Sequence, residues 1–311
     1  MKTELKWYQK AGLELLWGFS LFTSYTPRFF KYYILKPFIA SILIVSRYRR
    51  TVIKSNLAKS FPDKTKREIS RIARRYYFFL GEVVVDTINL VGANEKRKDY
   101  VAEWTNSREM NEKFSGKDWI AMGAHYGCWE YMLLWSRQLK DSKLMGVYHP
   151  MKSLVFEEFY NRLRNVSDKL LQVPMKQTIL YFLRNRKSGY GTVMGLVADQ
   201  SPTLRPDSHW FTFLNQKTIF HDGGEAMALK FGLPIYFAYT KRVAPGQYAI
   251  RFDEIYDGKE EVAPHEITER YVRKLENMIM ECPELWMWSH KRWKHTPEKQ
   301  AQRFGKSTVQ E

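Results

Sequence analysis

The 311-residue chain is 44% hydrophobic and 15% aromatic, enough apolar content for a sizeable core, which excludes an intrinsically disordered protein. Fifty Lys plus Arg against thirty-three Asp plus Glu leave a net charge of +17, so a negatively charged partner is expected: nucleic acid, anionic lipid or an acidic carrier protein. Two cysteines, Cys128 and Cys282, exclude a disulfide framework and a cysteine-rich zinc site.

Residues 1–60 combine charge with apolar surface. They hold eleven Lys or Arg against two Glu, so +9 of the net charge lies here. Two apolar stretches, 11–26 and 32–45, are each shorter than the roughly 20 residues of a spanning helix, and Pro27 and Pro37 interrupt a continuous one. The expectation is a helical membrane anchor, either lying in the interface or tilted and kinked, with Trp7, Trp17, Tyr25, Tyr32 and Tyr33 at headgroup level. A secretory signal is disfavoured because no small-residue cleavage site follows the apolar run.

Thr65-Lys66-Arg67-Glu68 has capping-box spacing and predicts a helix from Lys66 to about Leu90, with apolar residues recurring from Ile69 to Ile88. Residues 92–116 read as further helix and loop. Strands are predicted at 119–124, 143–148, 192–198, 234–241 and 247–255, alternating with helices at 129–139, 154–165, 177–186 and 222–231. Gly232 is placed to end the last of these. A final long helix spans about 265–280 and stops before Pro283; the tail beyond Lys294 is polar and expected to fray. The pattern predicts an α/β fold: a mostly parallel central sheet flanked by helices. Three regions follow: an anchoring segment 1–60, an α/β domain 61–295 and a polar tail 296–311.

The stretch at 119–130, Trp-Ile-Ala-Met-Gly-Ala-His-Tyr-Gly-Cys-Trp-Glu, delivers His125 from a strand into a turn that Gly127 permits, with Glu130 five residues on. Acyl transfer from a thioester needs a base for the acceptor hydroxyl, a carboxylate to orient that base, and donors for the oxyanion. His125 can be the base and Glu130 its partner, with backbone N–H groups around Gly127 and Cys128 as donors. A covalent role for Cys128 is the lesser reading, because free cysteines are often buried and inert.

These residues resemble the His-x-x-x-x-Glu motif of the late acyltransferases of lipid A biosynthesis, the lauroyl/myristoyl transferase family within the lysophospholipid acyltransferase superfamily. Other segments match in the same order. Asn-Leu-Ala-Lys-Ser-Phe-Pro at 56–62 resembles the family's Asn-Leu…Phe-Pro segment. Gly-Val-Tyr-His-Pro at 146–150 resembles its Tyr-Arg-Pro turn, and Asn-Arg-Leu-Arg at 161–164 its paired arginines. Ala-Asp-Gln-Ser-Pro at 198–202 is similar to its Asp-Gln strand end, in the form seen in Bacteroidetes-like relatives, and 283–294 resembles its C-terminal signature.

The resemblance implies a glycerolipid acyltransferase-like fold and acyl transfer, usually from acyl carrier protein, to a hydroxyl of a lipid A precursor at the cytoplasmic face of the inner membrane. It implies His125 and Glu130 as catalytic dyad, Arg162 and Arg164 near the acyl carbonyl or a phosphate, and Asp199 orienting a basic residue or the acceptor. No cofactor, metal or nucleic acid is implied; the acyl thioester, on acyl carrier protein or coenzyme A, is a co-substrate. One departure is His149, where many members carry arginine. A mostly uncharged imidazole there would weaken a phosphate contact and favour a different acceptor. The alternatives are therefore a lysophospholipid or aminolipid acceptor, or a non-enzymatic basic protein at a membrane or nucleic-acid surface. A Pro-Glu-Gly-Thr block, usual in the glycerolipid enzymes, is missing.

Overall fold

A computed structural model describes residues 5–92 and 102–305. The expectations for 93–101 and for the end of the tail, 306–311, lie outside the described residues.

The chain opens with α1 (Trp7–Tyr25), a π-helical turn (Phe30–Leu35) running into α2 (Lys36–Val45), α3 (Arg50–Ser60) and the long α4 (Lys66–Asn89). The capping box at the start of α4 forms as expected: Thr65 Oγ1 accepts from Glu68 N–H, and the Glu68 carboxylate accepts from Thr65 N–H. Pro37 does not break the second apolar stretch. It sits in the first turn of α2, directly after the π turn, where the widened backbone tolerates a residue without an N–H.

Among the described residues, seven strands form the main sheet: β1 (Glu103–Trp104), β2 (Trp119–Gly123), β3 (Ser142–Tyr148), β4 (Leu170–Pro174), β5 (Gly191–Val197), β8 (Ile235–Ala244) and β9 (Gln247–Tyr256). Their order is β1-β9-β8-β2-β5-β3-β4, parallel throughout except for the β8–β9 pair. A separate hairpin pairs β6 (Phe211–Phe213) with β7 (Gln216–Thr218). The remaining helices are α5 (Ser107–Phe114), α6 (Leu154–Leu163), α7 (Thr178–Arg186), α8 (Gly223–Phe231), α9 (Glu266–Glu281) and α10 (Pro297–Phe304). The tail therefore does not simply fray after Lys294. Thr296 caps α10, and the buried Gln300 accepts from Trp210 Nε1 and donates to the carbonyls of Arg205 and Pro206.

Strand β2 is buried on both sides, as a central parallel strand must be. Its alternating residues feed two cores. Ile120 and Met122 pack in one with Tyr76, Tyr271, Trp286 and Trp288; Trp119 and Ala121 pack in the other with Trp135, Phe159 and Phe252. Trp286 and Trp288 are thus core residues.

The N-terminal helices are bound to this body by polar contacts. Gly81 lets α2 cross α4 closely, since a Cβ there would stand 2.7 Å from the Lys36 carbonyl oxygen. That approach brings Lys36 to 2.9 Å from the buried Glu82, which also takes a two-pronged contact from Arg242. Burial alone would raise the Glu82 carboxyl, but Arg242 and Lys36 together hold it below its ordinary value. One turn on, Asp86 accepts from the hydroxyls of Tyr32 and Tyr248. Burial and the neighbouring Glu82 push it up to about 7.

Among the described residues no helix is long and apolar enough to cross a membrane. Helix α1 is nevertheless inside out. Its buried residues are Leu13, Ser20, Thr23 and Ser24, whereas Trp7, Leu15, Phe19, Phe22 and Tyr25 are more than half exposed. Phe29, Tyr33, Phe38, Ile42 and Val45 extend the exposed apolar face.

Candidate active site

The register of the sheet assembles the centre of the site. Parallel pairing sets Gly123 of β2 opposite Val197 of β5. Two residues beyond each, at the carboxyl ends where α/β sheets gather ligands, stand His125 and Asp199. His125 Nδ1 lies 2.7 Å from Asp199 Oδ1. Asp199 Oδ2 accepts from the His125 backbone N–H at 3.1 Å and from Trp286 Nε1 at 2.8 Å. Burial works to raise the Asp199 carboxyl, but the facing imidazole and these donors outweigh it and hold the group below its usual range. An ionised Asp199 accepts from Nδ1–H and so favours the tautomer whose free nitrogen is Nε2.

The expected His125–Glu130 pairing is not what the geometry gives. Residues Trp129–Gln138 wind as a 3-10 helix, and both Glu130 oxygens are held by Arg164, from Nε at 2.9 Å and from Nη2 at 2.6 Å. Arg164 lies between the rings of Tyr148 and Tyr160, 5.6 and 4.9 Å from their centroids. Burial tends to lower its guanidinium, yet Glu130 raises it further than burial lowers it. The carboxylate in contact with the His125 ring is Asp199.

Arg162 and Arg164, two positions apart at the end of α6, point to different places. Arg162 is half exposed and pairs with Glu14 of α1 at 2.7 Å and with Glu158 at 3.5 Å, so it ties α1 to α6 and stays out of the site. His149, in the turn after β3, is exposed and bonds the Pro150 carbonyl.

Gly127 has φ +64°, and a Cβ there would press on Tyr248 and Thr240 at 3.0 and 3.1 Å, so the turn demands glycine twice over. Its N–H donates to the Leu285 carbonyl at 3.0 Å, which removes it as an oxyanion donor. Cys128 is buried; desolvation, with Asp86 and Glu130 nearby, drives its thiol well above the ordinary value, so it is no ready nucleophile.

Beside the pair an apolar cavity, partly open to solvent, lies between the 3-10 helix and strands β3 and β5. Trp129, whose ring stands 5.0 Å from His125, joins the pair to it. Glu130 and Arg164 sit in its wall, Gly146 and Gly195 leave room along it, and Trp135, Leu144 and Phe252 complete it.

Sequence reading did not give roles to two contributors, Gln200 and Trp286. Gln200 Nε2 is 3.1 Å from His125 Nε2. Both lie within the quoted motifs, but only the register across β2 and β5 shows that they meet at the histidine. Among the described residues no group of three or more His, Cys, Asp or Glu side chains is arranged to hold a metal ion.

The chain is thus an α/β protein whose mostly parallel sheet carries a His–Asp pair at its carboxyl edge, where such sheets gather ligands, with an apolar slot alongside. Residues 1–295 match the family of bacterial lipid A biosynthesis acyltransferases, and the chain belongs to that family. That membership supports acyltransferase activity. No curated protein matches it.

Proposed function

We propose that the protein moves a fatty acyl chain from a thioester, on acyl carrier protein, to a hydroxyl of a lipid A precursor at the cytoplasmic face of the inner membrane. The observation that carries this reading is the His125–Asp199 pair beside an apolar cavity. The acyl chain occupies the cavity along Gly146 and Gly195. His125 Nε2 takes the proton from the acceptor hydroxyl as its oxygen attacks the thioester carbonyl, and Asp199 stabilises the imidazolium. The C–S bond then breaks and the departing thiolate takes the proton from His125. Arg164, fixed through Nε and Nη2 by Glu130, has Nη1 left to meet the oxyanion. Glu130 thus serves as the positioner of Arg164.

The basic N-terminal segment and the outward apolar face of α1 and α2 support docking in the membrane interface, with the apolar residues below the headgroups and the cations among them. Incubating the purified protein with acyl-loaded carrier protein and lipid A precursor, and following the lipid by mass spectrometry, tests the reading. One added acyl chain is expected. The same product on a lysophospholipid or aminolipid, with none on the lipid A precursor, would move the acceptor to the class that His149 hints at.

A further inference from the structure

His125 Nε2, the atom that must take the acceptor's proton, is already occupied. The Gln200 carboxamide nitrogen lies 3.1 Å away and donates to it, because the Asp199 contact keeps the imidazole proton on Nδ1. Gln200 directly follows Asp199, so the turn that places the orienting carboxylate also places the amide. That turn is pinned from its far side: Ser201 N–H donates to His290 Nε2 at 3.2 Å, a bond that needs a neutral imidazole. The amide's other recorded neighbour is the weakly accepting Met287 sulfur at 4.0 Å, and the Trp129 ring stands beside the imidazole.

We infer that Gln200 masks His125 against water, so that the base is released only when a lipid hydroxyl displaces the carboxamide. The inference rests on the acyl-transfer reading and adds to it a means of choosing the acceptor. Water is the smallest competing nucleophile. If it reached Nε2 with an acyl thioester in place, its proton would pass to His125 and its oxygen would bond to the carbonyl carbon. The C–S bond would break, giving a free fatty acid and a thiol that regains the proton. A tethered amide outcompetes one mobile water for a single acceptor site, because its position costs little further entropy. A bulky acceptor held by its own contacts across the protein surface can push the amide aside, and water cannot.

The test compares full-length wild type with Gln200→Ala, which removes the amide, and Gln200→Met, which keeps the bulk and donates nothing. Acyl-loaded carrier protein is supplied with and without lipid A precursor, and free fatty acid and acylated lipid are both quantified. Without acceptor, hydrolysis is expected to rise about fivefold in both variants, the factor that one neutral hydrogen bond represents. With acceptor, the ratio of hydrolysis to transfer should rise as well. Hydrolysis that stays at the wild-type rate while transfer continues overturns the mask and leaves acyl transfer standing. Hydrolysis that falls in step with transfer also overturns it, by assigning the amide to the oxyanion. A wild type that cleaves no thioester under either condition overturns both readings.

Discussion

At the residue scale, the weight of the site falls on which carboxylate touches His125. With Asp199 as the orienting group, Asp199→Asn should lower transfer by about a hundredfold or more, the range that general-base catalysis spans. The two arginines of the 161–164 segment should separate cleanly. Arg162→Gln, remote from the cavity, should leave turnover unchanged, whereas Arg164→Gln leaves Glu130 buried without its partner and should cost about 3–5 kcal/mol of stability along with activity. Thermal unfolding and turnover measured on the same preparations check both. His290 adds a pH signature. Burial, with Arg292 beside it, lowers its imidazole to about 4. The unfolded chain takes up that proton near 6.5 while the native state refuses it, so this group makes stability fall as pH drops from about 6.5 to about 4. Because the raised Asp86 acts in the opposite sense over part of that range, the comparison is wild type against His290→Gln, whose denaturation midpoint should fall less across the window. His125 was legible from its apolar strand and glycine turn, and Asp199 from its strand end. Their contact was not, because sequence spacing favours the near carboxylate, Glu130, while a parallel register unites residues 74 positions apart.

At the element scale, the long periodic segments were readable and the short ones were not. Helix α4, helix α9 and strands β2, β3, β5, β8 and β9 lie within a few residues of where periodicity puts them. Strands β1 and β4 and the short β6–β7 hairpin went unseen. β1 is two residues long, and β4 is an edge strand that ends on Pro174, where composition reads as a turn. The 129–139 helix was right in place but wrong in kind, and its 3-10 winding aims Glu130 at Arg164. The α4 stripe hid two acids, Glu82 and Asp86, whose partners come from α2, β8, β9 and the π turn. Glu82→Ala strands Arg242 and Lys36 and should cost about 3–5 kcal/mol. Gly81→Ala should cost about 1–3 kcal/mol by forcing α2 off α4. Chemical denaturation reads both, and a loss below 1 kcal/mol in either would mean that α2 is held by other contacts.

At the scale of the whole molecule, the proposed docking of a basic body on an anionic bilayer rests on the outward apolar N-terminal face. Replacing Leu15, Phe19 and Phe22 with serine should weaken binding to vesicles containing anionic lipid, while the core, which α1 meets through Leu13 and its small polar residues, stays folded. High salt should weaken the wild type's binding further. The central claim is that His125 is the base of an acyl transfer. The most direct measurement is the rate at which His125→Ala, shown to bind vesicles as wild type does, acylates lipid A precursor from acyl carrier protein. A loss of about a hundredfold or more is predicted; transfer at the wild-type rate would contradict the account.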